Sequence, residues 1–239
     1  MFTLERGHFY AVGVGPGSGD LLTLRAVKVI SRADLIICPA STKTKSSFAL
    51  DIISPWVSTQ QIEVIRYPMQ RDSQSTWQCW AKVAKKVAAW CAKDKIVCQI
   101  TLGDPLFYST SCYLLPQVIE LIGQTKVHVV PGITAFQTAG ANLGLPLVWQ
   151  EDAFLLLPAT DLERIAWALE HCETLVLYKV GQRLPEVLQL LEQKKLLEKT
   201  YLAAYLEQAN EYLLQKLDPN VKVPGYLVTL IVKIKHKSW

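Results

Sequence analysis

Phe9-Tyr10-Ala11-Val12-Gly13-Val14-Gly15-Pro16-Gly17-Ser18-Gly19 sets the reading of the whole chain. Its first half is an unbroken apolar run, the pattern of a strand buried on both faces. Its second half sets glycines and a proline where a tight turn must form, and from Thr23 to Ser31 the residues Leu24, Val27 and Ile30 recur at helical spacing. Strand, glycine loop and helix in that order open a parallel α/β sheet. Working outward, Leu35–Cys38 reads as a second strand closed by Pro39 and Ile62–Ile65 as a third. Ile96–Leu102 reads as a fourth strand running into Gly103-Asp104-Pro105, and Val127–Val130 as a fifth running into Pro131-Gly132-Ile133-Thr134. Trp80, Val83, Ala84, Val87, Ala88 and Cys91 form one apolar stripe on a long helix whose other face carries Lys82, Lys85, Lys86 and Lys93.

Beyond Pro146 the alternation continues. Strands are expected at Phe154–Leu157, Leu175–Lys179 and Tyr201–Leu206, with helices near Asp161–His171 and Pro185–Leu197. A last strand, Tyr226–Lys235, is expected to turn Lys233 and Lys235 to solvent. The fold class that follows is α/β in two lobes, residues 1–132 and 133–239, each a wound sheet with its loops gathered at the carboxyl ends of strands, where ligands bind. The polar tract Ser41-Thr42-Lys43-Thr44-Lys45-Ser46-Ser47 reads as an exposed loop able to serve as a lid.

Composition narrows the function. Half of the 239 residues are apolar and 19% are charged, which excludes disordered and collagen-like chains. The balance of 25 basic and 21 acidic residues gives +4, too small to demand nucleic acid or an anionic membrane but suited to an acidic small molecule. The N-terminus lacks the apolar stretch of a secretory signal, and Pro131, Gly132, Asn142, Gly144 and Pro146 break the uncharged stretch Val129–Gln150, so a cytoplasmic protein is expected. The six cysteines form no CxxC pair and read as small core residues of a reducing compartment. His8, His128, His171 and His236 share no ligand spacing, so no metal site is expected. Trp77, Trp80, Trp90 and Trp167 are expected in the core or an interface.

Three loops can carry chemistry. The first invites a dinucleotide reading, but Ser18 falls where the third glycine belongs, Pro16 interrupts the turn, and Asp34 precedes the second strand instead of ending it. No Lys-Ser or Lys-Thr follows it, which excludes a P-loop. In the second, Thr101-Leu102-Gly103-Asp104-Pro105-Leu106-Phe107-Tyr108-Ser109-Thr110, two roles stand open for Asp104: the cap of a helix starting at Pro105, or a carboxylate facing a crevice. The third leads into Ala135, Ala139, Gly140 and Ala141, which permit close helix packing or a flat ligand.

These segments, with Thr174-Leu175-Val176-Leu177-Tyr178-Lys179-Val180, resemble the tetrapyrrole (corrin/porphyrin) methylases in order and spacing across nearly the whole chain. Within that family, Tyr67-Pro68-Met69-Gln70-Arg71-Asp72 and Tyr108-Ser109-Thr110 resemble the branch that methylates carbon 20 of precorrin-2 or cobalt-factor II in cobalamin synthesis. Gln70 departs from the threonine expected there. The resemblance implies a homodimer that binds S-adenosyl-methionine in a cleft between its lobes. Carried over residue by residue, it implies cofactor contacts at Pro16, Leu102, Gly103, Asp104, Ser109, Thr110, Thr134, Ala135, Lys179 and Ala209. A methyl transferred to a ring carbon displaces a proton, for which Asp104 is the candidate catalytic acceptor. Lys43, Lys45, Arg66 and Arg71 are candidates for the carboxylates of an anionic tetrapyrrole. The alternatives are transfer to another ring carbon and, with a different substrate class, an RNA ribose methyltransferase of the same fold, which the modest charge disfavours.

Overall fold

The computed structural model describes residues 2–40, 47–66, 74–223, 225 and 227–235, and divides into two compact units, Met1–Thr134 and Ala135–Trp239.

The first unit is a five-stranded parallel sheet in the order β3-β2-β4-β1-β5. β1 (Phe9–Gly13) lies inside it, paired with β4 (Val97–Thr101) and β5 (Val127–Val130), while β2 (Leu35–Ala40) joins β4 to the edge strand β3 (Gln61–Arg66). Phe9, Tyr10, Ala11 and Val12 are fully buried because helices cover both faces. Tyr10 and Val12 pack with Ala26, Val29 and Ile30 of α1 (Leu24–Ile30) and Ile52 and Ile53 of α2 (Phe48–Ile53). Phe9 and Ala11 pack on the opposite side against Trp80, Val83 and Val87 of α3 (Gln74–Cys91) and Leu114 and Val118 of α4 (Ser111–Ile122). The unbroken apolar run of β1 is thus the signature of a strand with no solvent face. α1 starts where Thr23 Oγ1 accepts from Ala26 N at 3.1 Å.

The second unit departs from the purely parallel pattern. Its order is β6-β7-β10-β8-β9, with β6 (Phe154–Pro158) parallel to β7 (Thr174–Tyr178) and β10 (Val228–Lys233) antiparallel to both β7 and β8 (Thr200–Ala204). β7 and β8 therefore run the same way, and their carboxyl ends share one edge. β9 (Tyr212–Gln215) closes the sheet. One face carries α6 (Leu162–His171) and α7 (Leu184–Gln193), and the other packs Val176, Ala203 and Ile231 against Ala139 of α5 (Ala135–Asn142). Asp161 caps α6, its Oδ1 accepting from Arg164 N at 3.1 Å.

Several expectations are corrected here. The last strand is central, paired on both sides. Lys233 does not face solvent: it is 2% exposed, and its Nζ donates to Leu147 O at 2.9 Å and to Thr174 Oγ1 at 2.7 Å. Burial lowers its pKa from the usual lysine value. No helix starts at Pro105; Pro105 and Leu106 form a turn and α4 begins at Ser111. Of the tryptophans expected in the core or an interface, Trp80 is in the core, and Trp77 and Trp167, more than half exposed, are outside it. Cys38, Cys91, Cys98 and Cys172 are buried, but Cys112 is exposed. No helix among the described residues is long and apolar enough to cross a membrane.

Candidate functional site

The carboxyl ends of β1, β4 and β5 meet in a junction made of glycine. Gly103 N donates to Gly15 O at 2.8 Å, Gly15 N to Gly103 O at 3.3 Å, and Val14 N to Thr101 O at 2.9 Å. Gly15 and Gly103 hold φ of 76° and 65°, the left-handed region that favours glycine. A Cβ on Gly13 would lie 2.5 Å from Gly103 O and 2.7 Å from Gly132 N, and one on Gly132 would press closer still on Gly103 O. The three loops read separately in the sequence are one packed object. Their glycines serve mutual contact, and the N–H groups of Val14, Gly15 and Gly103 are spent inside the junction. A dinucleotide loop needs such N–H groups open to phosphate, so the physical ground for that reading is gone.

Asp104 locks the junction. It is 8% exposed; Oδ1 accepts from Leu106 N at 2.8 Å and Oδ2 from Gly132 N at 3.0 Å. The carboxylate ties its own turn to the loop after β5. Ser109 ends the turn, its Oγ 3.0 Å from Thr101 Oγ1 and accepting from Ser111 N at 3.0 Å, so this hydroxyl is engaged in holding the start of α4. Thr110 Oγ1 is buried with no hydrogen-bond partner. Pro16 is buried next to Gly15, and Thr134 lies beside Gly103, whose added Cβ would sit 3.9 Å from Thr134 Cα. Within the first unit the structure therefore gathers Pro16, Leu102, Gly103, Asp104, Ser109, Thr110 and Thr134 at one sheet edge.

In the second unit, strand ends are again marked by left-handed residues, here without glycine. Lys179 follows β7 at φ 59°, and Tyr205 and Glu207 follow β8 at φ 52° and 60°. Such conformations cost non-glycine residues about 1–3 kcal/mol and concentrate at functional sites. Ala135 opens α5, and Phe136 N donates to Tyr178 Oη at 3.0 Å, fixing that start against the end of β7. Ala209 lies in the turn after β8 and is exposed. Beside it, Gln208 has a buried Nε2 with no hydrogen-bond partner. Sequence reasoning passed over Gln208; its only signal there is its position next to Ala209. Arg66 closes β3 and is exposed, whereas Lys43, Lys45 and Arg71 lie outside the described residues, as does the whole Tyr67–Asp72 stretch.

Other reactive groups belong to the scaffold. Burial pushes the Cys91 and Cys172 thiols up to about 11 and raises Cys98 further, so these stay protonated and unreactive. His8 Nδ1 and His128 Nε2 lie 2.8 Å apart at the opposite end of the sheet, with Tyr10 stacked on His128. Among the described residues no group of three or more His, Cys, Asp or Glu side chains is placed to hold a metal ion.

Residues 8–211 match the model of the Tetrapyrrole (Corrin/Porphyrin) Methylases. The chain belongs to this family. It is 34% identical over 195 residues to a cobalt-precorrin-2 C(20)-methyltransferase of Salmonella typhimurium, covering 80% of this chain and 81% of that one. It is 30% identical over 213 residues to a precorrin-2 C(20)-methyltransferase of a Sinorhizobium species, covering 84% of each. Among solved tetrapyrrole methylases, cobalt precorrin-4 methyltransferase matches with a TM-score of 0.73 at 17% identity, covering 96% of this chain and 97% of that one. The Thermus thermophilus uroporphyrin-III C-methyltransferase complexed with S-adenyl homocysteine matches with a TM-score of 0.67 at 17% identity, covering 95% and 98%. These likenesses establish two α/β units of the tetrapyrrole methylase fold.

Proposed function

We propose that this tetrapyrrole methylase transfers a methyl group from S-adenosyl-methionine to carbon 20 of precorrin-2 or cobalt-factor II, in cobalamin synthesis. The observation that carries this reading is the 30–34% identity, over at least four-fifths of the chain, to relatives named for that reaction. The residues present fit the cofactor. A junction that spends the N–H groups of Val14, Gly15 and Gly103 internally has few donors left for a phosphate, and its buried Asp104 carboxylate suits a ligand with cationic sulfonium and ammonium groups better. The orphaned Thr110 Oγ1 and Gln208 Nε2 are buried polar atoms of the kind that a ligand satisfies. We assign the cofactor contacts to Pro16, Leu102, Gly103, Asp104, Ser109, Thr110, Thr134, Ala135, Lys179 and Ala209, and add Gln208.

When bound, S-adenosyl-methionine supplies a methyl already activated by the sulfonium, so the chain's task is to align it with a ring carbon and exclude water. Asp104 holds the junction through both oxygens and is the candidate acceptor for the proton that leaves the methylated carbon. Asp104→Asn removes the charge and keeps an acceptor for Leu106 N, but sets an NH2 against Gly132 N and so weakens the brace as well. Loss of kcat with an unchanged S-adenosyl-homocysteine Kd marks the proton role; loss of both marks the brace or the cofactor contact. Arg66, with Lys43, Lys45 and Arg71, is assigned to the substrate's carboxylates. Free cysteines support a reducing cytoplasm as the place of reaction, and exposed Trp77 and Trp167 support a homodimer, which sedimentation velocity tests. Incubation with labelled cofactor and either metal-free or cobalt-loaded substrate, followed by NMR of the product, tests the whole reading. A methyl on another ring carbon, or no methylated ring at all, overturns it.

A further inference from the structure

The turn that leaves the glycine junction brings three consecutive large apolar side chains to the surface: Leu106 is 57% exposed, Phe107 49% and Tyr108 44%. Single exposed apolar residues are ordinary, but adjacent ones held out together mark a surface with an occupant. Slackness does not hold them there. Leu106 N donates to Asp104 Oδ1 at 2.8 Å and Phe107 N to Asp104 O at 3.4 Å, which fixes the beginning of the turn. Ser109 Oγ, 3.0 Å from both Thr101 Oγ1 and Ser111 N, fixes its end. Between these anchors Tyr108 sits at φ 50°, a left-handed conformation unfavourable for a bulky residue. The backbone thus accepts strain while presenting apolar surface to water, the opposite of what folding alone selects.

We propose that Leu106, Phe107 and Tyr108 form a seat for one flat face of the tetrapyrrole ring, a proposal that rests on the function assigned above. Two features select this occupant. The seat is continuous with Gly103 and Asp104, assigned to the cofactor, so a ring resting on it lies at the sheet edge where the methyl is delivered. It is also uncharged: Pro105-Leu106-Phe107-Tyr108-Ser109-Thr110 contains no ionisable group but the tyrosine phenol. A macrocycle with acidic side chains at its rim and an apolar face matches a platform that reads the face and leaves the rim to cations elsewhere. Stacking of an aromatic side chain on the ring adds to area burial.

The test is the double variant Leu106→Ser/Phe107→Ser. Both side chains are about half exposed, so the variant should keep its thermal midpoint, and its Kd for S-adenosyl-homocysteine should stay within about twofold. Its KM for precorrin-2 should rise about tenfold or more, and its affinity for uroporphyrin III, followed by the Soret band, should fall by a similar factor. Unchanged KM and unchanged uroporphyrin III binding overturn the proposal. So does a variant that halves its mass in sedimentation velocity, which would assign the patch to a second copy of the chain, or one that loses only S-adenosyl-homocysteine binding. Wild-type protein that binds uroporphyrin III through these residues yet methylates no ring would sink the functional assignment and leave the seat standing.

Discussion

Gly13→Ala is the sharpest perturbation the junction permits. The new Cβ would stand 2.5 Å from Gly103 O, 2.7 Å from Gly132 N and 2.8 Å from Gly132 Cα, all of them backbone atoms, so no side chain can rotate away. Non-bonded heavy atoms settle about 3.5 Å apart, so the strand ends must separate by about 0.5–1 Å. Overpacking of this kind costs about 1–3 kcal/mol, and the upper end applies because β1, β4 and β5 are tied in register. For a chain of this size that is a fall of about 6–12 °C in thermal midpoint. A displacement of about 1 Å in a positioning loop can cost about a hundredfold in function, so calorimetric Kd for S-adenosyl-homocysteine should rise by about 10–100-fold. Gly123→Ala is the control. Gly123 has φ 85° and nothing within 4 Å of an added Cβ, so alanine there should lower the midpoint through backbone strain and leave the Kd alone. A folded Gly13→Ala protein that binds S-adenosyl-homocysteine with wild-type Kd would refute the assignment of the junction to the cofactor.

Three further outcomes are expected. Burial and the neighbouring His8 lower the pKa of His128, so the unfolded chain takes up the proton first: stability is complete above about pH 6.5 and is lost as pH falls through the lower folded value. The wild-type midpoint should therefore drop more steeply below that pH than the midpoint of His128→Phe, and coincident curves would exclude this origin. Gln99 is fully buried with neither amide atom hydrogen-bonded, so Gln99→Leu should stabilise by about 1–3 kcal/mol in urea denaturation, whereas a loss would reveal an internal water. Gln208→Leu should raise the Kd for S-adenosyl-homocysteine about two- to tenfold with no change in midpoint, and an unchanged Kd removes Gln208 from the site.

What the sequence made legible follows from burial. β1, β4 and α3 could be read because a strand covered on both faces is apolar throughout and a helix covered on one face is striped. α2 and β9 were not visible: Phe48–Ile53 is one and a half turns without a side-chain cap, and Tyr212–Gln215 is a short edge strand whose partners lie on β8. Lys233 was misread because alternation with Lys235 looks like a solvent face. The groups that accept its ammonium protons, Leu147 O and Thr174 Oγ1, lie 86 and 59 residues away. At the candidate site the three glycine loops were legible one by one, and their residue types pointed to close approach. Their contact with one another was not, because it depends on strand order, and neither was the double engagement of Asp104.

The interlocking of Val14, Gly15, Gly103 and Gly132 also bears on motion. Each of these amides is held by a partner on a different strand end or the loop that follows it, so no strand end can open without breaking bonds in a neighbour. Hydrogen exchange there should follow a single cooperative opening, slower than exchange in the turns beyond it. Ligands must then enter and leave by movement of side chains around a fixed hub, and changes in selectivity must accumulate in the residues projecting from that hub.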